Sequence, residues 1–137
     1  ISACLVGSEM CIRDSAGGDR DASKREIMGA EAARGADFVV VADDNPRTED
    51  PAAIRAAVRA GAEKEAAPGV EIREDASRAG AIDQLVAWAQ PGDAIVVVGK
   101  GHEVGQIVGT TTHHFDDREE MRRALAQRGY QHTSDKE

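Results

Sequence analysis

Aromatic side chains are scarce in this 137-residue chain, with one Trp, one Tyr and two Phe making up 3% of it. Within an apolar fraction of 41%, a core built from such a chain is mostly Ala, Val, Ile and Leu. Cysteine is rarer still: Cys4 and Cys11 offer neither a disulfide framework nor a zinc-ligand spacing. No function is assigned to either, and a reducing cytoplasm is the simplest compartment. Excess positive charge is missing too. The formal net charge of −8 argues against nucleic acid or an anionic membrane surface as a partner. No apolar run approaches the length of a membrane span, and the first ten residues lack the basic start and sustained apolar core of a signal peptide. Neither an internal repeat nor a low-complexity linker interrupts the chain, whose length suits one domain with a real core.

What is present alternates between strand and helix signals. Phe38 to Ala42 is five apolar residues between Asp37 and Asp43, the pattern of a buried strand in a parallel sheet. Asp93 to Val98 repeats that pattern. Ser23 to Arg34 reads as a helix turning Ile27, Met28, Ala32 and Ala33 toward the sheet. Pro51 to Glu65 reads as a second helix, with Asp50 as N-cap and Pro51 at the first helical position. Val70 to Ile72 alternates like a short strand toward a sheet edge. Asp75 is then the predicted cap of a helix burying Ile82, Leu85, Val86 and Ala89, with Trp88 packing beside that stripe. Val104 to Phe115 reads as a hairpin turning at Gly109, and Asp116 with Glu119 as a capping-box start for a last helix facing inward through Met121, Ala124 and Leu125. The fold expected is a three-layer, Rossmann-like α/β domain, mainly parallel in its sheet, with an antiparallel hairpin at one edge.

Two loops leave the predicted parallel strands at their carboxyl ends, where open α/β sheets bind ligands. The first, Asp44-Asn45-Pro46-Arg47-Thr48-Glu49-Asp50-Pro51, carries in Arg47 a planar, permanently charged fork suited to a carboxylate or phosphate; the plain alternative is that Arg47 only ties down its loop. The second is Gly99-Lys100-Gly101-His102-Glu103. It lacks the P-loop pattern and the third glycine of a dinucleotide fingerprint, but allows close backbone approach at Gly99 and Gly101 and offers a carboxylate at Glu103. Arg47 and Glu103 together suit a zwitterion, the guanidinium taking its carboxylate and Glu103 its ammonium. His102 fits either a proton carrier or, more simply, a turn-stabilising hydrogen bond. His113 and His114 point to opposite faces of a strand and are not read as metal ligands. Lys24 and Arg25, in the unfavourable first turn of a helix, fit either a nearby anion or a solvated pair of charges.

Asp-Asn-Pro-Arg at 44–47 followed by Gly-Lys-Gly-His-Glu at 99–103 resembles the C-terminal domain of the Mur ligases, nearest their diaminopimelate-adding branch. Gly17-Gly18-Asp19-Arg20-Asp21, Lys24-Arg25, Met28-Gly29, Asp75-x-x-Arg78-x-x-Ala81-Ile82 with its acid displaced, and Phe115-Asp116-Asp117-Arg118-Glu119 extend the resemblance over residues 16 to 129. Ser23 and Glu26 depart from the Gly and Pro usual at those positions. Residues 1 to 15 do not match the apolar strand and glycine turn that precede Gly-Gly-Asp-Arg in the family. They read as a non-family, adapter-like stretch in which residues 3 to 6 can still form a short strand. The resemblance implies domain boundaries of 1–15, 16–130 for the Mur ligase C-terminal domain, and 131–137 as a polar tail.

It further implies an ATP-dependent amide-bond ligase of peptidoglycan synthesis, in which ATP phosphorylates a carboxylate and an amine then displaces the phosphate. Asn45 and Arg47, assisted by Arg20, would grip the distal carboxylate of meso-diaminopimelate. Gly99 and Glu103 would complete the pocket, and Asp44 and Pro46 would shape its turn. Lys24 is the one residue assigned to cofactor. ATP and Mg2+, like the UDP-N-acetylmuramoyl dipeptide, would bind mainly through domains with no counterpart in these residues, so no catalytic residue or metal ligand is assigned and the chain alone is expected to be inactive. Two alternatives remain: addition of L-lysine by the same fold, or a stand-alone binding module.

Overall fold

The computed structural model describes the backbone of residues 3–6, together with residue 18 and residues 21–131. Arg20, Cys11 and the tail from 132 onward, all considered above, lie outside the described residues. In chain order the elements are β1 (Ala3–Val6), α1 (Lys24–Gly35), β2 (Phe38–Ala42), α2 (Pro51–Glu65), β3 (Glu71–Asp75), α3 (Arg78–Trp88), β4 (Ile95–Val97), β5 (Gly105–Val108), β6 (Thr111–His114) and α4 (Asp117–Gln127).

The main sheet has the order β3-β2-β1-β4. β2 and β3 are parallel, whereas β1 runs antiparallel to both β2 and β4. Hence β2, β3 and β4 all point one way, and the loops leaving β2 and β4 emerge from the same edge, separated by one strand. That separation is roughly 9–10 Å, two inter-strand spacings. The hairpin β5–β6 forms a sheet of its own. It joins the main sheet's loop edge through one parallel bridge between Arg47 and Val108 rather than by extending the sheet.

Because strand side chains alternate, β2 serves two cores at once. Phe38, Val40 and Ala42 face α3 and α4 with Ala81, Ile82, Leu85, Val86, Ala89 and Ala124. Val39 and Val41 face α1 and α2 with Met28, Ala32, Ala36 and Val58. All five β2 residues are buried, Phe38 and the three valines each contributing about 1.5–3 kcal/mol by leaving water. This is the three-layer arrangement expected. Trp88 stacks on Phe38 with ring centroids 5.0 Å apart, so it is packing.

Local chemistry explains where helices begin. α2 starts where Asp50 accepts from Ala52 N at 3.0 Å and Pro51 takes the first turn. α3 is capped by Ser77, whose Oγ accepts from Gly80 N at 3.1 Å. Asp75, the expected cap, instead ends β3 and accepts from Ser77 N at 2.8 Å. α4 is capped by Asp116, which accepts from Arg118 N at 2.8 Å. Ile27 also departs from expectation: it is 62% exposed on the outer face of α1. The inner face is taken by small residues because α1 and α2 pack backbone to backbone. A Cβ on Gly29 would lie 1.8 Å from Val58 O, and one on Gly61 1.9 Å from Glu26 O.

A buried ion pair ties the last two helices together. Arg78 donates to both carboxylate oxygens of Asp117 at 2.6 and 2.7 Å, and to Val98 O at 3.0 Å. The guanidinium is fully enclosed, so this two-pronged geometry offsets its lost hydration.

Candidate functional site

The β2 loop and the β4 loop meet. Asn45 Nδ2 donates to Glu103 Oε2 at 3.2 Å, joining residues far apart in sequence into one wall. On its other side Asn45 Oδ1 accepts from Ile107 N at 2.8 Å and from Lys100 Nζ at 3.5 Å. Lys100 Nζ also lies 3.3 Å from Asp44 Oδ1 and bonds the carbonyl of Gly105. The Asp44 contact is close enough for charge attraction but out of line for a hydrogen bond, since Asp44 Oδ1 has no hydrogen-bonding partner among the described residues. Gln106 Nε2 completes the clamp by donating to Asp44 O at 2.8 Å. Asp44, Asn45 and Lys100 are all buried, while Glu103 is exposed at the rim.

Arg47 sits in a left-handed backbone conformation, with φ 52°, which costs a residue with a side chain on the order of 1 kcal/mol or more. The hairpin holds it there: Arg47 N donates to Ile107 O at 3.5 Å, and Gly109 N donates to Arg47 O at 3.0 Å. Its guanidinium donates through one terminal nitrogen to Gly18 O at 2.8 Å. Gly18 N in turn donates to Asn45 O at 2.7 Å. A side chain at 18 would meet Pro46 O at 1.7 Å, so a glycine is required for residue 18 to dock on the Asp-Asn-Pro-Arg loop. Arg47 does tie its loop down, and it remains half-buried with further guanidinium N–H groups beyond the one given to Gly18.

Of the residues singled out from sequence, Asp44, Asn45, Pro46, Arg47 and Glu103 therefore belong to one assembly, and Gly99, with φ 116°, opens the turn that carries Lys100 and Glu103. Lys24 is exposed at the first residue of α1. Its neighbour Arg25 is buried and paired two-pronged with Glu49 at 3.3 and 2.7 Å, which accounts for a cation in that helix's first turn. His102 and His113 are exposed, and His114 pairs with Glu119 at 2.8 Å. Among the described residues no group of three His, Cys, Asp or Glu is arranged to hold a metal ion.

Sequence reasoning overlooked Lys100. A lysine between two glycines reads as a solvated loop charge, and nothing in the sequence marks the burial that sets it against Asp44. It also overlooked Arg55, which bonds both Asp43 and Glu74 (Glu74 at 2.9 Å) behind the loop. Burial pushes the Asp43 carboxyl above its ordinary pKa, with the Arg55 bond pulling the other way.

Comparison with known proteins follows the same residues. The family described as "Mur ligase, glutamate ligase domain" matches residues 15–101. The chain is 61% identical over 116 residues to the UDP-N-acetylmuramoyl-L-alanyl-D-glutamate–2,6-diaminopimelate ligase of Corynebacterium glutamicum, an overlap covering 82% of this chain and 22% of that protein. It is 52% identical over 124 residues to the enzyme of the same name from Synechococcus elongatus, covering 90% of this chain and 24% of that one. A solved structure of a ligase of that name superposes with a TM-score of 0.70 at 38% identity, covering 84% of this chain and 23% of the other. The chain thus spans under a quarter of the length of the relatives it matches. With a family match over residues 15–101, the chain belongs to the Mur ligase family, through its glutamate ligase domain.

Proposed function

We propose that residues 16–130 form the amino-acid-binding domain of a cytoplasmic, ATP-dependent ligase that joins meso-diaminopimelate to UDP-N-acetylmuramoyl-L-alanyl-D-glutamate in peptidoglycan synthesis. The observation that carries the reading is the Asn45–Glu103 hydrogen bond at 3.2 Å, which brings the Arg47 loop and the Glu103 loop into contact. Arg47, with Arg20, takes the distal carboxylate, the group that lysine lacks. Asn45 gives one amide proton to Glu103 and keeps its second for the ligand. Glu103 receives the ammonium, Gly99 lets the ligand approach the backbone, and Asp44 and Pro46 shape the turn. The names of the relatives from Corynebacterium glutamicum and Synechococcus elongatus support the same substrate pair.

The activation chemistry belongs elsewhere in the longer protein that such relatives represent. ATP supplies the phosphoryl group that activates the acceptor carboxylate, and we assign ATP, Mg2+ and the UDP-sugar to other domains, with Lys24 the one residue here proposed to approach the nucleotide. The 137-residue chain alone is accordingly expected to release no phosphate from ATP.

The test uses the Corynebacterium glutamicum ligase with this chain substituted for the segment it matches. Arg47→Ala should raise the KM for meso-diaminopimelate on the order of a hundredfold, the loss of a charge-assisted carboxylate contact, while the ATP KM stays put. Equal losses for both substrates would overturn the assignment. Substrate choice is read in the same assay: turnover with lysine equal to that with diaminopimelate would favour the lysine-adding alternative, and binding without turnover would favour a stand-alone module.

A further inference from the structure

We propose that Lys100, buried between the Asp44–Arg47 and Gly99–Glu103 loops, is a positioning residue that sets how Glu103 is presented to the amino acid substrate. The inference deepens the reading above and rests on Glu103 receiving the substrate's ammonium.

The argument begins with the Asn45 amide, whose two ends are chemically different. Ile107 N is an obligate donor and approaches one end at 2.8 Å. Lys100 Nζ, also donor-only, approaches the same atom at 3.5 Å. Two donors converging on one atom require that atom to be the amide oxygen. The NH2 group is thereby turned toward Glu103, where it donates to Oε2 at 3.2 Å. That bond engages Oε2, so in this reading Oε1 is the oxygen offered to the substrate's ammonium.

Lys100 does more than any surface lysine in this arrangement. Its side chain has no exposure, and Asp44 opposite it has 4%. Burying an ammonium is costly unless it is paired and hydrogen-bonded, and here it meets Asp44, Asn45 and the carbonyl of Gly105. One side chain therefore links the β2 loop, its own loop and the start of the hairpin that pins Arg47. Glu103 N closes the turn by donating to Lys100 O at 3.0 Å. The geometry makes Lys100 the residue through which the two halves of the cleft, Glu103 and Arg47, keep register.

The experiment is a double-mutant cycle in the substituted Corynebacterium glutamicum ligase, reading KM for meso-diaminopimelate, KM for ATP and kcat. Lys100→Met should raise the diaminopimelate KM by on the order of tenfold, with the ATP KM and kcat within error of the parent. In an enzyme already carrying Glu103→Gln, the same substitution should add nothing further. An equal rise in both backgrounds, or a matched rise in both KM values, overturns the positioning role and leaves Lys100 purely structural. If Glu103→Gln alone leaves the diaminopimelate KM unchanged, the pocket reading fails and this inference with it, an outcome distinct from additivity. Should Lys100→Met fail to fold because Asp44 loses its counter-charge, the cycle is run with Asp44→Asn added to every arm, and the same coupling to Glu103 decides it.

Discussion

Removing the Asp117 carboxylate should damage this fold more than removing any helix cap. Arg78 is wholly enclosed, and its two strongest bonds go to Asp117 at 2.6 and 2.7 Å across α3 and α4. Asp117→Ala strips a buried guanidinium of its carboxylate, a class of change that costs about 3–5 kcal/mol. Domains of ordinary size have about 5–15 kcal/mol in all, so the variant loses at least about a fifth of its margin and, at the low end of that range, most of it. With a urea m-value of about 2 kcal/mol/M, the unfolding midpoint of the 137-residue chain should fall by about 2 M. Ser77→Ala is the internal control: it removes only the cap bond to Gly80 N, costs about 1 kcal/mol and lowers the midpoint by about 0.5 M. Both midpoints are read from circular dichroism in urea. An Asp117→Ala chain no less stable than Ser77→Ala would refute the claim that this ion pair fastens α4 to the rest.

Three further perturbations follow from other parts of the molecule. Gly61→Ala puts a methyl 1.9 Å from Glu26 O and must push α1 from α2, so a loss of about 1–3 kcal/mol is expected; an unchanged melting temperature would contradict the backbone-to-backbone packing. Leu85→Ala, from the fully buried face of α3, should cost about 2–5 kcal/mol by cavity formation, and a loss below that range in urea would mean the core is looser than described. His114 is raised above its ordinary pKa of 6.5 by the hydrogen bond to Glu119 and that carboxylate's charge. Its stabilising contribution is therefore complete below pH 6.5 and fades as pH rises through the higher folded-state value. An NMR titration of the His114 ring should show a midpoint above 6.5 that drops in Glu119→Gln, and a midpoint at 6.5 or below would remove the pairing.

Much of the architecture was legible because local and long-range signals agree. Asp50-Pro51 marks the start of α2 by cap and fixed φ together, and Pro51 to Glu65 is the observed helix. Ile82, Leu85 and Val86 lie on the buried face of α3, with Ala89 buried at its C-cap, and Gly109, at φ 61°, is the hairpin turn. The failures share a cause: competition that only tertiary structure reveals. Asp75 looks like a cap, but β3 runs on to it, and its carboxylate serves Ser77 N while Ser77 caps the helix. Ile27 fits the helical period, yet the close α1–α2 approach demands Gly29 and Ala33 on the inside and leaves Ile27 in solvent.

The same holds for the candidate site. Which loops meet could be read from two strand-end motifs, because parallel strands deliver both to one edge. What the loops do to each other could not. Lys100 reads as a surface charge until Asp44, Asn45 and Gly105 are seen to enclose it. Arg25 likewise reads as misplaced at a helix start until Glu49 is seen beside it. The left-handed conformation of Arg47 has no sequence marker, since it is imposed by Ile107 and Gly109 of the hairpin.

The most direct trial of the central claim is an amide NMR titration of the chain with meso-diaminopimelate, and with L-lysine in parallel. The account expects shifts confined to the amides of Gly18, Asn45, Arg47 and Gly99 to Glu103 with diaminopimelate, abolished by Arg47→Ala and much weaker with lysine. Shifts clustered on another face, or identical responses to the two amino acids, would contradict it.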